Sequence, residues 1–195
     1  MNLANKITLI RIGMIPLFVL ALQKYPTWMV EQFSFLEYLN TAGVYWAVAL
    51  FVIASATDKL DGYVARKYNQ ITNLGKLLDP LADKLLVSAA LIMMVQLDMI
   101  PGWIAAIIIG REFMVSGIRV LAAAKGVALA ADKHGKLKLV LQVVAITAVL
   151  LGNFPFSYIT GLQIDMAIML AAVALTAYSG YRYLRNNYQL LQLKM

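Results

Sequence analysis

The segment Asp58-Lys59-Leu60-Asp61-Gly62-Tyr63-Val64-Ala65-Arg66, followed after eight residues by Gly75-Lys76-Leu77-Leu78-Asp79-Pro80-Leu81-Ala82-Asp83, sets four carboxylates at the junction of two long apolar runs. Asp58 and Asp61 are three residues apart, and Asp79 and Asp83 are four apart. Both spacings place side chains on one face of a helix, so each run ends in a carboxylate pair. The connection, with Asn69, Thr72, Asn73 and Gly75, is short enough to make the two helices antiparallel neighbours. The two pairs are then expected to face each other near one surface of whatever surrounds the helices.

That surrounding is lipid. The chain has 195 residues, of which 62% are hydrophobic and 14% charged, with a mean hydropathy of +0.74. Soluble domains carry about a quarter charged residues and are about half apolar. Apolar segments run over approximately 7–22, 42–63, 79–97, 101–124, 139–152 and 162–181. Each is long enough, or nearly so, to span at about 20 residues per helix. Basic residues alternate between the connections. Lys6 and Arg11 begin the chain; Arg66, Lys67 and Lys76 follow the second segment; Lys125, Lys133, Lys136 and Lys138 follow the fourth; Arg182, Arg185 and Lys194 follow the sixth. The other connections hold Lys24, Glu31, Glu37, Asp98 and Asp165. The positive-inside rule then predicts a single all-α bundle over residues 1–195 with six transmembrane helices. It places both termini, and the aspartates, on the cytoplasmic side of the cell membrane. The net charge of +7 is topogenic on this reading and faces anionic lipid, which removes nucleic acid as a partner.

Several features take plain structural readings. The first segment, interrupted by Arg11 and Pro16, competes with a signal peptide, but Gln23-Lys24-Tyr25-Pro26 has no small-residue cleavage site. Trp28, Tyr38, Tyr45, Trp46 and Trp103 read as interfacial anchors. The ten Met residues read as packing. Cys is absent, so disulfides and thiolate chemistry are excluded.

Four carboxylates brought together repel one another unless something positive lies between them. An unpaired Asp in a bilayer costs at least ~2.5 kcal/mol. Hard divalent cations such as Mg²⁺ or Mn²⁺ prefer oxygen ligands and also bind phosphates. Two such ions clamp the attacking and leaving oxygens of a displacement at phosphorus. Gly62 and Gly75 are places where a backbone can approach a ligand, and Ala65 keeps the face small, a spacing that equally suits helix packing. The structural alternative pairs the aspartates with Lys59, Arg66, Lys76 and Lys84, which accounts for one or two of the four.

The pattern D-x2-D-G-x2-A-R-x8-G-x3-D-x3-D, with all eight fixed positions filled, resembles the signature of the CDP-alcohol phosphotransferases. The resemblance implies a six-helix membrane bundle, usually a homodimer, with a cytosol-facing polar cavity. It implies that Asp58, Asp61, Asp79 and Asp83 bind two divalent cations, Mg²⁺ or Mn²⁺, around the CDP diphosphate. Asp83 would also be the catalytic base, and Gly62, Ala65, Arg66 and Gly75 would line the nucleotide pocket.

A second polar group lies within the fourth segment, Gly110-Arg111-Glu112-Phe-Met-Val-Ser116-Gly-Ile-Arg119, followed by the loop His134-Gly135-Lys136-Leu137-Lys138. Arg111 lies ~15 Å along its helix at 1.5 Å per residue. Ionisable groups at such depth are functional candidates. Arg111, Arg119, Lys136 and Lys138 are candidates for holding an acceptor phosphate. The alternative makes Arg111 and Glu112 a structural pair; Glu112 is read that way, and His134 as solvated. The opening Asn5-Lys6-Ile7-Thr8-Leu9-Ile10-Arg11, the Gly110–Arg119 segment and Gly135-Lys136-Leu137-Lys138 are similar to bacterial members of the family. Those members take CDP-diacylglycerol as donor and sn-glycerol 3-phosphate as acceptor and release CMP. Leu139 stands where they more often have Thr. The same resemblance directs Thr8 and Arg11 toward the nucleotide or lipid phosphate. A transporter would spread its acidic groups through the membrane and show related halves, and neither is visible.

Overall fold

The computed structural model describes the backbone of residues 3–67, 73–124, 126, 133–154, 156–158 and 161–188. Side chains are described for residues 5–57, 78–123, 126, 138–154, 156–158 and 161–188. Every regular element among the described residues is helical: α1 (Leu3–Leu22), α2 (Thr27–Gln32), α3 (Ser34–Lys67), α4 (Asn73–Gln96), α5 (Gly102–Ala124), α6 (Lys133–Leu150) and α7 (Ile164–Asn186), with one 3₁₀ turn at Phe156–Tyr158. Each of the six expected apolar segments falls on one of the long helices. The small α2 was not foreseen.

Three described helical stretches are long and apolar enough to cross a membrane: Asn5–Leu22, Ser34–Thr57 and Ile164–Asn186. Lys138–Leu150 is a shorter apolar stretch. The expectation of six spans thus meets three that qualify by length and composition among the described residues. The reason lies in the charges: α4 carries Asp79, Asp83 and Lys84, and α5 carries Arg111, Glu112 and Arg119.

The chain divides into two compact units. Unit 1 comprises residues 1–99 with 150–152, and unit 2 comprises 100–149 with 153–195. In unit 1, α1 packs against both α3 and α4, and α3 also packs against α4. Gly43 on α3 meets the Ala21 carbonyl oxygen of α1 where a Cβ would sit, so the backbones approach as only glycine permits. Ala47 and Ala54 continue that small face, and Phe18 packs against Phe51 with ring centroids 5.9 Å apart and the planes tilted by 42°. Asn40 on α3 accepts from the Tyr25 N–H at 2.9 Å and donates to the Tyr25 carbonyl at 3.0 Å, which fixes the loop after α1.

Helix α3 begins at Ser34 rather than near residue 42, with Glu37 in its first turn, where a carboxylate complements the helix dipole. Extended backbone at Phe33 separates it from α2. Helix α4 ends in a Schellman turn: Met99 N–H reaches the Met94 carbonyl at 2.9 Å and Asp98 N–H reaches Val95 at 3.1 Å. Asp98 holds the left-handed position at φ 56° that glycine usually fills.

In unit 2, α5 packs against α7 around Val115, Ile118, Tyr183 and Leu184. Helix α6 is tied to α7 by a buried hydrogen bond from Gln142 Nε2 to Thr176 Oγ1 at 2.9 Å. Many large apolar side chains point outward, among them Ile10, Leu17, Leu20, Ile92, Val120, Leu121 and Leu170. Asn5, Thr8, Arg11, Lys138, Gln142, Thr176 and Ser179 are instead buried. Polar groups inside and an apolar exterior are the arrangement expected of helices solvated by lipid.

Candidate functional site

The buried stripe of α1 runs Asn5, Thr8, Arg11, each three residues from the next, and continues as Phe18, Ala21 and Leu22. Its polar end meets the aspartate helices. Thr8 Oγ1 donates to Asp79 Oδ1 at 2.8 Å. Arg11 Nε donates to Thr57 Oγ1 at 3.3 Å, and that hydroxyl in turn donates to the Ala54 carbonyl at 2.7 Å. Thr57 immediately precedes Asp58, so α1 braces both helices that carry the motif. Thr8 and Arg11, which the resemblance directs toward the nucleotide or lipid phosphate, are both buried beside the helices that carry the motif.

Asp79 and Asp83 lie one turn apart on α4 and are both partly buried, with buried Ala82 between them. Asp58, Asp61, Gly62, Ala65 and Arg66 fall on the last turns of α3. Their side chains, and that of Lys76, lie outside the described residues. Asn73 and Gly75, expected in the connection, belong instead to the first turn of α4. A helix start accommodates Gly readily, since the first four N–H groups there have no helical acceptor. Pro80 sits within α4 and withholds one N–H from the helix ladder next to Asp79.

Among the described residues no group of three or more His, Cys, Asp or Glu converges on a metal-sized gap. Two of the four motif carboxylates are outside that set. The described pair fits a hard cation in its donor chemistry: both groups are carboxylates on one helical face, and a neutral hydroxyl of α1 orients one of them.

A second polar cluster forms within unit 2. Arg111 Nη1 lies 3.5 Å from Glu112 Oε1, as the pair reading expects. Lys138 of α6 forms an ion pair with the same Glu112 oxygen. Arg111 Nη2 donates to Ser179 Oγ of α7 at 2.7 Å. Beside it, a Cβ added at Gly180 would lie 2.9 Å from Arg111 Cγ, so the arginine stem rests directly on the α7 backbone. Ser116 Oγ bonds the Glu112 carbonyl at 2.6 Å. Of the four cations expected at an acceptor phosphate, Arg111 and Lys138 are thus brought together. Arg119 stands apart with its guanidinium 5.7 Å from the Tyr183 ring centroid, a cation–π contact. Lys136 and His134 have side chains outside the described residues. Sequence reasoning missed Ser179 and Gly180. Their signal was the small polar spacing Thr176-x2-Ser179-Gly180 inside an apolar helix.

A family model described as CDP-alcohol phosphatidyltransferase matches residues 1–178. The chain is 46% identical over 191 residues to the CDP-diacylglycerol–glycerol-3-phosphate 3-phosphatidyltransferase of Bacillus subtilis, covering 98% of this chain and 97% of the relative. It is 35% identical over 185 residues to the protein of the same name from Rickettsia felis, covering 94% of each. A third relative of that name, from Pseudomonas fluorescens, is 36% identical across 95% of this chain and 89% of its own length.

Proposed function

Because the chain belongs to the CDP-alcohol phosphatidyltransferase family, we propose that it transfers the phosphatidyl group of CDP-diacylglycerol to sn-glycerol 3-phosphate. The products are phosphatidylglycerol phosphate and CMP, the reaction of a phosphatidylglycerophosphate synthase in phospholipid biosynthesis. The observation that carries this reading is the near end-to-end match to relatives named for that reaction, on a chain that keeps all eight motif positions.

Asp58, Asp61, Asp79 and Asp83 would hold two divalent cations, Mg²⁺ or Mn²⁺. When bound, such ions neutralise the charge of the diphosphate and of the departing nucleotide. The residues of the chain do the rest. Thr8 keeps the Asp79 carboxylate in one orientation. Arg66 and the small positions Gly62, Ala65 and Gly75 serve the nucleotide, with Arg11 on the α1 side. Asp83 takes the proton from the 1-hydroxyl of glycerol 3-phosphate. The freed oxygen forms a bond to the phosphorus that carries diacylglycerol, and the bond from that phosphorus to CMP breaks. Arg111, Arg119, Lys136 and Lys138 bind the phosphate of the acceptor, where bidentate and charge-assisted contacts are strongest. Positioning and charge stabilisation supply most of the rate in this chemistry.

The membrane arrangement proposed with it has six spanning helices, with α4 and α5 kept in the bilayer by the protein partners of Asp79, Arg111 and Glu112. Both termini and the active site lie on the cytoplasmic side of the cell membrane, as the distribution of Lys and Arg supports. A homodimer completes the reading.

The test is incubation of the purified protein with CDP-diacylglycerol, Mn²⁺ or Mg²⁺ and one alcohol at a time, following CMP and the lipid formed. Glycerol 3-phosphate is expected to give phosphatidylglycerol phosphate. Turnover with phosphatidylglycerol, inositol phosphate or serine in its place would overturn the acceptor and keep the reaction class.

A further inference from the structure

The proposed acceptor reading assigns Arg111 and Lys138 to a phosphate, and the next inference rests on it. Neither cation stands alone. We infer that Glu112, Ser179 and Gly180 are positioning residues that hold these two cations, from α5 and α6, as one phosphate-binding pair.

Glu112 Oε1 is the common anchor. Arg111 approaches it at 3.5 Å and Lys138 forms its ion pair with the same atom. All three side chains are strongly shielded, at 10% exposure for Arg111, 16% for Glu112 and 3% for Lys138. Two cations gathered at such shielded positions repel strongly, because the local dielectric is low. A carboxylate shared between them removes that repulsion. A neutralised Glu112 would leave the pair to splay.

Ser179 and Gly180 act on the arginine from the opposite side. The Ser179 hydroxyl accepts from Nη2 at 2.7 Å and adds no charge, so it fixes the guanidinium plane without cancelling its attraction for an anion. Gly180 has no Cβ, which lets the arginine stem lie against α7. A methyl there would sit 2.9 Å from Arg111 Cγ and 3.6 Å from Met114 Cε. The register of α6 on α7 is set one turn farther along, where Gln142 Nε2 donates to Thr176 Oγ1 at 2.9 Å. Gln142 follows Lys138 by four residues and Thr176 precedes Ser179 by three. This rung therefore holds Lys138 and the Ser179 seat in step. The ligand class this arrangement suits is a phosphomonoester acceptor, whose oxygens engage two fixed cations together.

Steady-state CMP release by the full chain in detergent, with glycerol 3-phosphate varied at saturating CDP-diacylglycerol, tests this. Ser179→Ala, Gly180→Ala and Glu112→Gln are each expected to raise the KM for glycerol 3-phosphate about tenfold, the loss of one charge-assisted contact. The KM for CDP-diacylglycerol should stay within about twofold. Ser179→Thr, which keeps the hydroxyl, should restore the acceptor KM. In an Arg111→Gln background Ser179→Ala should add no further loss, because its effect runs through that arginine. Monodisperse elution and a cooperative thermal transition above the assay temperature certify the fold of each variant.

An unchanged acceptor KM in Ser179→Ala and Glu112→Gln would overturn the clamp while leaving the proposed reaction standing. So would equal rises in both substrate KM values, or additive losses with Arg111→Gln. If the unaltered protein turned over only alcohols without a phosphate, the acceptor reading and the clamp would both fall.

Discussion

Replacing Thr8 by Val removes one hydroxyl and almost no volume. Thr8 is fully buried, and its Oγ1 donates to Asp79 Oδ1 at 2.8 Å across 71 residues of sequence. A hydrogen bond to a charged group is worth about 1.5–3 kcal/mol. Loss of an outer-shell partner of a metal ligand typically costs about 10–100-fold in affinity or activity. The two figures agree, since about 1.4 kcal/mol is tenfold. Thr8→Val is therefore expected to weaken Mn²⁺ binding about tenfold or more. CMP release at limiting Mn²⁺ should fall in parallel. Thr8→Ser, which keeps the donor, should stay near the unaltered protein. Free Mn²⁺ followed by electron paramagnetic resonance during titration of the purified protein reads binding directly, without turnover. The KM for glycerol 3-phosphate should not move. An unaltered Mn²⁺ titration in Thr8→Val, with normal turnover, would refute the claim that α1 orients the aspartate.

Asp83→Asn keeps size and removes the proposed base, so CMP release should vanish while the purified protein still elutes as a folded species. Near-normal turnover would dismiss Asp83 from that role. Gly43→Ala places a methyl on the Ala21 carbonyl oxygen, forcing α1 and α3 apart. Overpacking of this kind costs about 1–3 kcal/mol, seen as a lower thermal midpoint in detergent; an unchanged midpoint would show that the helices separate freely. The acceptor comparison with separate alcohols should single out glycerol 3-phosphate.

Much of the fold is legible because apolar run length and charge placement are local properties. The six apolar runs all lie on helices, and the spacing of Asp79 and Asp83 predicts their shared face on α4. The Arg111–Glu112 pair is legible for the same reason, since the two are adjacent. Element boundaries were less so. Helix α3 begins at Ser34, well before its apolar run, and α4 begins at Asn73, so Gly75 lies in a helical turn rather than in a loop. Asp98 in a left-handed cap gives no glycine to read. Tertiary partners were hidden altogether. Nothing in the α1 sequence says that Thr8 meets Asp79, or that Lys138 meets Glu112 across 26 residues. Ser179 and Gly180 escaped notice because small side chains serve close helix contact and polar seating equally well.

The central claim is that the motif aspartates act through divalent cations. It is tested most directly by stripping the purified protein with a chelator and measuring CMP release from CDP-diacylglycerol and glycerol 3-phosphate. Turnover is expected to stop and to return on adding Mn²⁺ or Mg²⁺. Undiminished turnover by the stripped protein would contradict the claim.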